Sequence, residues 1–194
     1  MSLRRASLLE VAAQTSQCLE RAGIQVAIVG GSAVTAYAPE IYTSKDIDFA
    51  AINGAKRREF ALALSELGFR ARGRDFVHPQ SSFSLDLVAD TPYIDQRPIT
   101  KFEILKTRFG PVRVYTFEDA IADRIAAFLH WGDSQSLDVA ERVVRARADL
   151  TTWSHLRQTL RKLDASDLEA AQRLALAETR LHNALAEGGF KRKR

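Results

Sequence analysis

The sequence predicts an α+β fold in which a mixed β-sheet is flanked by helices and followed by a C-terminal helical lobe. Over residues 1–115, short apolar runs of strand length alternate with segments of helical spacing, as in an α/β domain. From residue 116 to residue 190 the pattern is helical throughout. We therefore expect an α/β domain over 1–115, a helical lobe over 116–190, and a solvated basic tail, KRKR, over 191–194.

The N-terminal segment predicts a helix, a strand and a second, shorter helix. The first helix begins with an S-x-x-E capping box at Ser7 and ends at Gly23, since glycine is favoured just after a helix. The run IQVAIV (24–29) is apolar and β-branched, which indicates a strand covered on both faces. After two glycines, SAVTAYA (32–38) predicts a short helix that stops before Pro39.

The middle of the chain predicts further strands around one helix. DIDFAAI (46–52) is expected to be the second strand, followed by a helix over about 54–67. FRARGRDFVHP (69–79) predicts a hairpin, and SFSLDLVA (82–89) predicts a third strong strand. Residues 102–116 predict two strands joined by a Gly-Pro turn.

Four helices are predicted in the C-terminal part. A capping pattern at Thr116 precedes AIADRIAAFLHW (120–131). The next helices are expected over 136–148, 152–163 and 166–189, where apolar residues recur at helical spacing. This succession indicates a helical lobe that packs beside the sheet.

Composition excludes several kinds of site. The formal net charge is +4, from 28 basic and 24 acidic side chains, which permits a polyanionic partner without requiring one. Cys18 is the only cysteine, so an internal disulfide and a thiolate zinc cluster are excluded. No apolar run reaches the roughly eighteen residues needed to span a bilayer, and Glu10 interrupts the N-terminal segment too early for a signal peptide. We expect a cytoplasmic protein without a membrane partner.

A pair of carboxylates interrupts the second strand. Because side chains alternate across a strand, Asp46 and Asp48 share one face while Ile47 and Phe49 point into the core. Two neighbouring carboxylates repel each other unless a cation or a proton lies between them. Oxygen ligands of this kind suit Mg²⁺, which predicts a metal site; the alternative is a solvated pair at a strand end.

The third strand carries a further carboxylate at matching parity. Ser84 and Asp86 face away from Phe83, Leu85 and Leu87. If this strand lies beside the second one, Asp86 completes a three-carboxylate site with Asp46 and Asp48. Such a site can hold two metal ions roughly 3.5–4 Å apart.

The glycine turn before the short helix predicts a phosphate site. Backbone N–H groups at a helix start are without partners and carry a partial positive charge. Gly30 and Gly31 would let a phosphate approach the backbone closely, and Ser32 would add a hydroxyl donor. The alternatives are that the glycines merely permit tight packing and that Ser32 merely caps the helix.

These motifs together resemble the nucleotidyltransferase fold shared with DNA polymerase beta. The likeness lies in a Gly-Ser pair, a spacer of thirteen residues, Asp-x-Asp between apolar residues, and a later strand aspartate, within residues 24–90. In addition, TFEDAIADRIAAFLHWGDSQSLDVAERVV (116–144) resembles the helical segment of minimal and AbiEii-like nucleotidyltransferases of bacterial toxin–antitoxin and phage-defence systems.

The resemblance implies an activity and a set of partners. It implies transfer of a nucleoside monophosphate from a nucleoside triphosphate, with Mg²⁺ or Mn²⁺, to a hydroxyl group of a tRNA, a protein or a small molecule. An RNA or protein acceptor and a cognate antitoxin are the partners it implies. Arg124 stands where relatives place a phosphate-contacting basic residue, although lysine is commoner there and the downstream Lys-Asp pattern is absent.

Other interpretations stay open at this stage. The chain could be a catalytically silent nucleotidyltransferase-like module that binds a partner. Lys45 would either touch phosphate or be an exposed lysine, and Arg124 would either contact phosphate or pair with neighbouring acids. His130 and Trp131 are expected to pack in the core or at an interface rather than to act in catalysis. The basic residues 56–58, with Arg70, Arg72 and Arg74, are expected to be a solvated face rather than an RNA-binding one.

Overall fold

The computed structural model describes residues 3–191, in which the predicted helices and strands follow one another in the expected order, with one additional hairpin between the fifth and eighth strands. The helices are α1 (Leu8–Arg21), α2 (Gly30–Tyr37), α3 (Arg57–Ser65), α4 (Phe117–Trp131), α5 (Ser134–Ala146), α6 (Trp153–Leu160) and α7 (Leu168–Lys191). The strands are β1 (Val26–Ile28), β2 (Asp46–Ala51), β3 (Arg70–Arg72), β4 (Asp75–Val77), β5 (Ser84–Ala89), β6 (Tyr93–Ile94), β7 (Arg97–Pro98), β8 (Phe102–Thr107) and β9 (Gly110–Tyr115).

The main sheet is mixed, which confirms the predicted fold class. Its strand order is β3-β4-β5-β2-β1-β9-β8. Strand β2 is antiparallel to β1 and parallel to β5, while β1 is parallel to β9. All three residues of β1 are buried, as its continuous apolar run predicts for a strand covered on both faces.

One face of the sheet is covered by α1 and α3. The aromatic rings of Phe49 on β2, Phe60 on α3 and Phe76 on β4 form a chain with centroid distances of 6.1 and 5.4 Å. Their burial, together with that of Ile47 and Leu85, fixes which face of β2 and β5 points into the core. The aspartates of these strands must therefore point to the other face.

The four helices after β9 pack on one another, and α4 also contacts α2 and β6. Helix α4 begins with the predicted cap, since Thr116 Oγ1 accepts the Asp119 N–H at 3.2 Å. Trp131 ends α4 with 81% of its surface exposed, so core packing is wrong for this residue and packing at an interface stays a prediction. Lys191 is the last residue of α7, and residues 192–194 of the predicted basic tail lie outside the described residues.

Two local details differ from the predictions. The turn between β8 and β9 is formed by Arg108 and Phe109, because Thr107 pairs with Gly110 and the Gly-Pro dipeptide already belongs to β9. The short hairpin of β6 and β7 has no counterpart in the sequence analysis. Its two-residue strands are too short to show alternation. Within residues 3–191, no helix combines the length and apolar character that a membrane crossing requires.

Candidate active site

The glycine turn lies directly against the second aspartate of β2. Gly30 has φ +62°, a conformation that L side chains rarely adopt. A Cβ atom at this position would lie 2.6 Å from Asp48 Oδ2, which is closer than any tolerable contact. Gly31 is nearly as confined, since its Cβ would meet the Tyr42 hydroxyl at 3.0 Å. Gly30 is therefore required by its backbone conformation and by the close approach of the backbone to the Asp48 carboxylate.

Ser32 has a different position from the one predicted for a phosphate donor. Its hydroxyl is fully buried and donates to the carbonyl oxygen of Val29 at 2.7 Å. The same hydroxyl oxygen accepts the backbone N–H of Asp48 at 3.0 Å. The hydroxyl thus ties β2 to the glycine turn, and a ligand at the surface cannot reach it. The expectation of a phosphate-binding hydroxyl is wrong for this geometry.

The start of α2 keeps the backbone donors that a phosphate site needs. Its N-cap residue is Val29, and no side chain caps the first turn. The N–H groups of Gly30, Gly31 and Ser32 begin a helix whose dipole favours an anion there. The backbone, rather than the Ser32 side chain, is the part of this turn that can bind phosphate.

Asp46 and Asp48 both lie half-buried on one face of β2. Asp46 Oδ1 accepts a hydrogen bond from Ser44 Oγ at 2.7 Å. Burial, and next the charge of Asp46, raise the pKa of Asp48 to about 7, with a smaller contribution from Asp86. Among the described residues, no cationic side chain lies within ion-pair distance of Asp48. The ionised form of Asp48 is therefore destabilised unless a proton or a cation neutralises it.

Asp86 lies on the neighbouring strand at the height of Asp48. Strands β2 and β5 run parallel, and Asp48 and Asp86 are partners in register, as the matching parity predicts. The Asp86 side chain is 8% exposed and is held by two arginines. Arg57 Nη1 lies 3.1 Å from Asp86 Oδ1, and Arg74 Nη2 lies 3.3 Å from Asp86 Oδ2.

These ion pairs bear on the predicted metal site. Over residues 3–191, no group of three or more His, Cys, Asp or Glu side chains is placed to hold a metal ion. Asp46 and Asp48 fit Mg²⁺, because they supply two oxygen donors on one strand face and Asp48 is half-buried with no ion-pair partner among residues 3–191. Asp86 is adjacent, but both of its oxygens already contact arginine. A three-carboxylate site therefore stays a prediction.

Arg124 and Lys45 lie at the border of this site. Arg124 Nη2 pairs with Asp123 at 2.7 Å, in agreement with the alternative of an arginine paired to a neighbouring acid. Its charge also lowers the pKa of Asp48, so the guanidinium lies near that carboxylate. The Arg124 Nε atom is buried without a hydrogen-bond partner. Lys45 is exposed just before β2. Phosphate contact by either residue stays a prediction.

Sequence reasoning missed Arg57 and Arg74 as site residues. Both belong to basic stretches whose pattern predicts a solvated face. That prediction agrees with the exposed Arg70 and Arg72 and is wrong for Arg57, which bonds a buried carboxylate. The available signal was that Arg57 opens the helix following β2, where a buried charge on β5 would find a partner.

A cavity of about 400 Å³ lies beside Arg124. It is bordered by the β6–β7 hairpin and the C-terminal half of α4, and Asp123, His130 and Trp131 line it. His130 Nε2 contacts Asp95 Oδ1 at 2.8 Å, so this histidine fastens the hairpin to α4. The cavity offers space for a small organic group beside Arg124.

Comparison with solved structures shows the fold. An antigenic nucleotidyltransferase-like protein from Paracoccidioides brasiliensis superposes with a TM-score of 0.56 at 16% identity, over 96% of this chain and 95% of that chain. The solution structure of the antibiotic-resistance factor ANT(2'')-Ia gives a TM-score of 0.44 at 16% identity, over 96% and 95% of the two chains, which is too low to inform the assignment. No protein-family model matches, and no curated protein matches. The chain has a nucleotidyltransferase-like fold.

Proposed function

We propose, from this nucleotidyltransferase-like fold, that the chain is an Mg²⁺-dependent nucleotidyltransferase that transfers a nucleoside monophosphate from a nucleoside triphosphate to a hydroxyl group. The observation that carries the proposal is the placement of Asp48. It is half-buried beside Asp46, pressed against the glycine turn, and short of positive charge. A divalent ion with its phosphate ligands would supply that charge.

Each part of the site has a role in this proposal. Asp46 and Asp48 would hold Mg²⁺, which supplies positive charge to the phosphate oxygens when it is bound. The N–H groups at the start of α2 would bind the phosphates, since no side chain caps the first turn of this helix. Arg124 would add positive charge on the side of α4. Lys45 would contribute a charge from solvent.

The reaction would be an in-line displacement. The acceptor oxygen forms a bond to the α-phosphorus, the bond to the leaving pyrophosphate breaks, and the acceptor proton moves to a carboxylate. Asp86, adjacent to Asp48 on β5, is the carboxylate that would share a second metal ion and take this proton. The protein's contribution is positioning and preorganised charge, as in phosphoryl-type transfers generally.

The acceptor and the biological role follow from the resemblance of residues 116–144 to AbiEii-like proteins. We propose an RNA or protein acceptor and a role as toxin of a toxin–antitoxin or phage-defence system, with a cognate antitoxin as partner. Induced expression in a bacterial host should slow growth, and the Asp48→Asn variant at equal protein level should not. Equal toxicity of the two would contradict the proposed role while leaving nucleotide transfer untouched.

A specific observation favours a second candidate, a nucleotidyltransferase-like module that binds without turnover. Asp86 is occupied by Arg57 and Arg74, and no metal-binding group of three is assembled in the described part of the chain. Calorimetric titration with nucleoside triphosphate, with and without Mg²⁺, separates the two candidates. The enzyme should show metal-dependent nucleotide affinity, and a silent module should show none.

The direct test of the proposed function is transfer of label. The protein is incubated with each α-labelled nucleoside triphosphate, Mg²⁺ and cell extract, and the molecule that gains label is identified. Wild type should label an acceptor and release pyrophosphate, whereas Asp46→Asn and Asp48→Asn should not. Labelling that persists in both variants would overturn the assignment of these aspartates.

A further inference from the structure

The two arginines on Asp86 are held very differently. Arg57 is fixed by four neighbours. Its guanidinium donates to Asp86 Oδ1 at 3.1 Å, to the carbonyl of Gly73 at 3.3 Å and to the carbonyl of Arg74, and it lies 4.6 Å above the centroid of the Phe76 ring. These contacts bind α3, the β3–β4 turn and β5 together. Arg57 cannot leave Asp86 without breaking the turn as well.

Arg74 has a much weaker hold on the same carboxylate. It lies in the two-residue turn between β3 and β4, and 85% of its side chain is exposed. Within the described residues, its side chain makes a single polar contact, at 3.3 Å to Asp86 Oδ2. An exposed ion pair of this kind gains little, because solvent screens it and a long side chain must be ordered.

Arg74 contacts Asp86, which is the third carboxylate of the predicted metal site. Asp86 is in register with Asp48 on the adjacent parallel strand, so its carboxylate lies at the same height of the sheet as the Asp46–Asp48 pair. Asp86 Oδ1 stays bonded to Arg57, which keeps the side chain oriented. Oδ2 becomes available only when Arg74 moves into solvent, where it has room.

We propose that Arg74 is a removable cover of Asp86. In this proposal, which rests on the proposed function, the triphosphate of the nucleotide draws Arg74 away from Asp86 and the released Oδ2 becomes a ligand for a metal ion. Arg57 remains as the positioning residue. Phosphate binding and metal binding thereby assist each other. Phosphate draws Arg74 away from Asp86, which frees the carboxylate for the metal, and a metal on Asp86 frees Arg74 for phosphate.

The proposal predicts an unusual gain from losing a side chain. Mn²⁺ binding is measured by electron paramagnetic resonance in the absence of nucleotide. Arg74→Ala should bind Mn²⁺ about two- to fivefold more tightly than wild type, the change expected for removing one weak, solvent-exposed ion pair. The gain should vanish when Arg74→Ala is combined with Asp86→Asn, since the released oxygen is then no longer a carboxylate.

Arg72→Ala is the matched control. Arg72 is an exposed arginine of the same hairpin, and its loss changes the net charge equally. An equal gain in Arg72→Ala, or a gain that survives Asp86→Asn, would show a general charge effect and would overturn the proposal. Mn²⁺ binding that requires Asp46 and Asp48 but is unchanged in Arg74→Ala would overturn the proposed role of Arg74 and leave the proposed function standing. Absence of any such binding in wild type and in Arg74→Ala would overturn the proposed function as well.

The identity of the displacing anion is tested separately, with metal removed by EDTA. Inorganic triphosphate should bind wild type measurably and bind Arg74→Ala at least several-fold more weakly, with Arg72→Ala unchanged. A short RNA oligonucleotide that shows this dependence while triphosphate does not would contradict the assignment to the nucleotide. Equal weakening in the two arginine variants would contradict a specific contact of Arg74.

Discussion

Two aspartates in register on adjacent strands are surrounded in opposite ways. Asp48 lies against the glycine turn, with a raised pKa and without an ion-pair partner in the described part of the chain. Asp86, one strand away, is the more deeply buried and has two arginines on its oxygens. At the same height of the sheet, therefore, the aspartate on β2 has little positive charge around it, whereas the aspartate on β5 is neutralised by two arginines.

This difference indicates which part of the site is built to receive a ligand. A desolvated carboxylate that is left without a cation costs stability, and such a cost persists where a ligand can offset it. A carboxylate already paired with arginine has a structural partner and must exchange it before binding a metal. In the proposed function the Asp48 end therefore receives the ligand, whereas Asp86 must first exchange Arg74, as proposed above.

The largest expected effect is at Asp48. Asp48→Asn should lower nucleotide transfer on the order of a thousandfold, because the charge that holds the metal is lost. The metal-free protein should melt at the same temperature or a higher one, since repulsion with Asp46 is relieved. Asp90→Asn, an exposed aspartate paired with Lys56, is the control and should retain activity. A large drop in melting temperature of Asp48→Asn would show that this carboxylate is structural.

The pH dependence of stability provides the next test. The folded state holds the proton of Asp48 more tightly than the unfolded state, because its pKa is raised from 3.8 to about 7. Stability of the metal-free protein should therefore fall as pH rises toward 7 and then level off. Between pH 5.5 and 8 the loss should be roughly 2 kcal/mol, or about 4–8 °C in Tm.

Thermal melting at the two pH values, with EDTA, measures this loss. Asp48→Asn removes the titrating group, so the difference between wild type and the variant isolates it from histidines that titrate in the same range. Added Mg²⁺ should restore the melting temperature at pH 8 more than at pH 5.5. Identical pH profiles of wild type and variant would contradict the raised pKa.

Gly30→Ala should have the third largest effect. The new Cβ would adopt an unfavourable backbone conformation and would clash with Asp48 Oδ2, at a combined cost of about 1–3 kcal/mol. Transfer activity should fall as Asp48 is displaced. Gly54→Ala is the matched control, because Gly54 has φ +75° but a Cβ atom added there would meet no other atom within 4 Å. Urea unfolding should show the clash as the difference between the two variants.

Arg57→Ala should destabilise the opposite end of the carboxylate pair. It leaves the buried Asp86 without its better-anchored cation and removes two hydrogen bonds to the β3–β4 turn, which should cost about 1–3 kcal/mol. Arg58→Ala, an exposed neighbour, should stay within about 0.5 kcal/mol of wild type. Equal unfolding midpoints in urea for the two variants would contradict an anchoring role for Arg57.

Ser44→Ala should have the smallest effect. Its hydroxyl donates a hydrogen bond to Asp46 Oδ1 at 2.7 Å, which helps to hold that carboxylate in position. Loss of this bond should cost about 1 kcal/mol and weaken Mn²⁺ binding several-fold without changing the pH profile of Asp48. Thr43→Ala, whose hydroxyl bonds the carbonyl of Pro39, should leave Mn²⁺ affinity unchanged. Equal Mn²⁺ affinities in the two variants would show that the hydrogen bond from Ser44 to Asp46 does not support metal binding.

Much of the fold was predictable because its signals are local. The capping box at Ser7 is present with both of its hydrogen bonds, and the helical spacing after residue 116 corresponds to four helices. The β6–β7 hairpin could not be predicted, since each strand has two residues and the hairpin is held by contacts to α4. The exposure of Trp131 was equally inaccessible, because helical spacing does not say which helix ends reach the surface.

The candidate site was only half accessible to sequence reasoning. Alternation placed Asp46 and Asp48 on one face and gave Asp86 the matching parity. The neighbours of these carboxylates were not accessible, because Arg57 and Arg74 reach Asp86 from different elements. Ser32 shows the same limit. A serine at a helix start suits a contact with a ligand, but in the structure its buried hydroxyl bonds the backbone of Val29 and Asp48.

The sequence by itself determined the order of the elements, the glycine turn, and the face of β2 that carries the aspartates. These follow from backbone conformation and side-chain alternation, which depend on residues close together in the chain. Only the tertiary structure decided that β5 lies parallel beside β2 and that two arginines cover Asp86, while no cationic side chain in the described part of the chain pairs with Asp48. Strand order and charge pairing join residues that are distant in sequence, and local pattern carries no information about them.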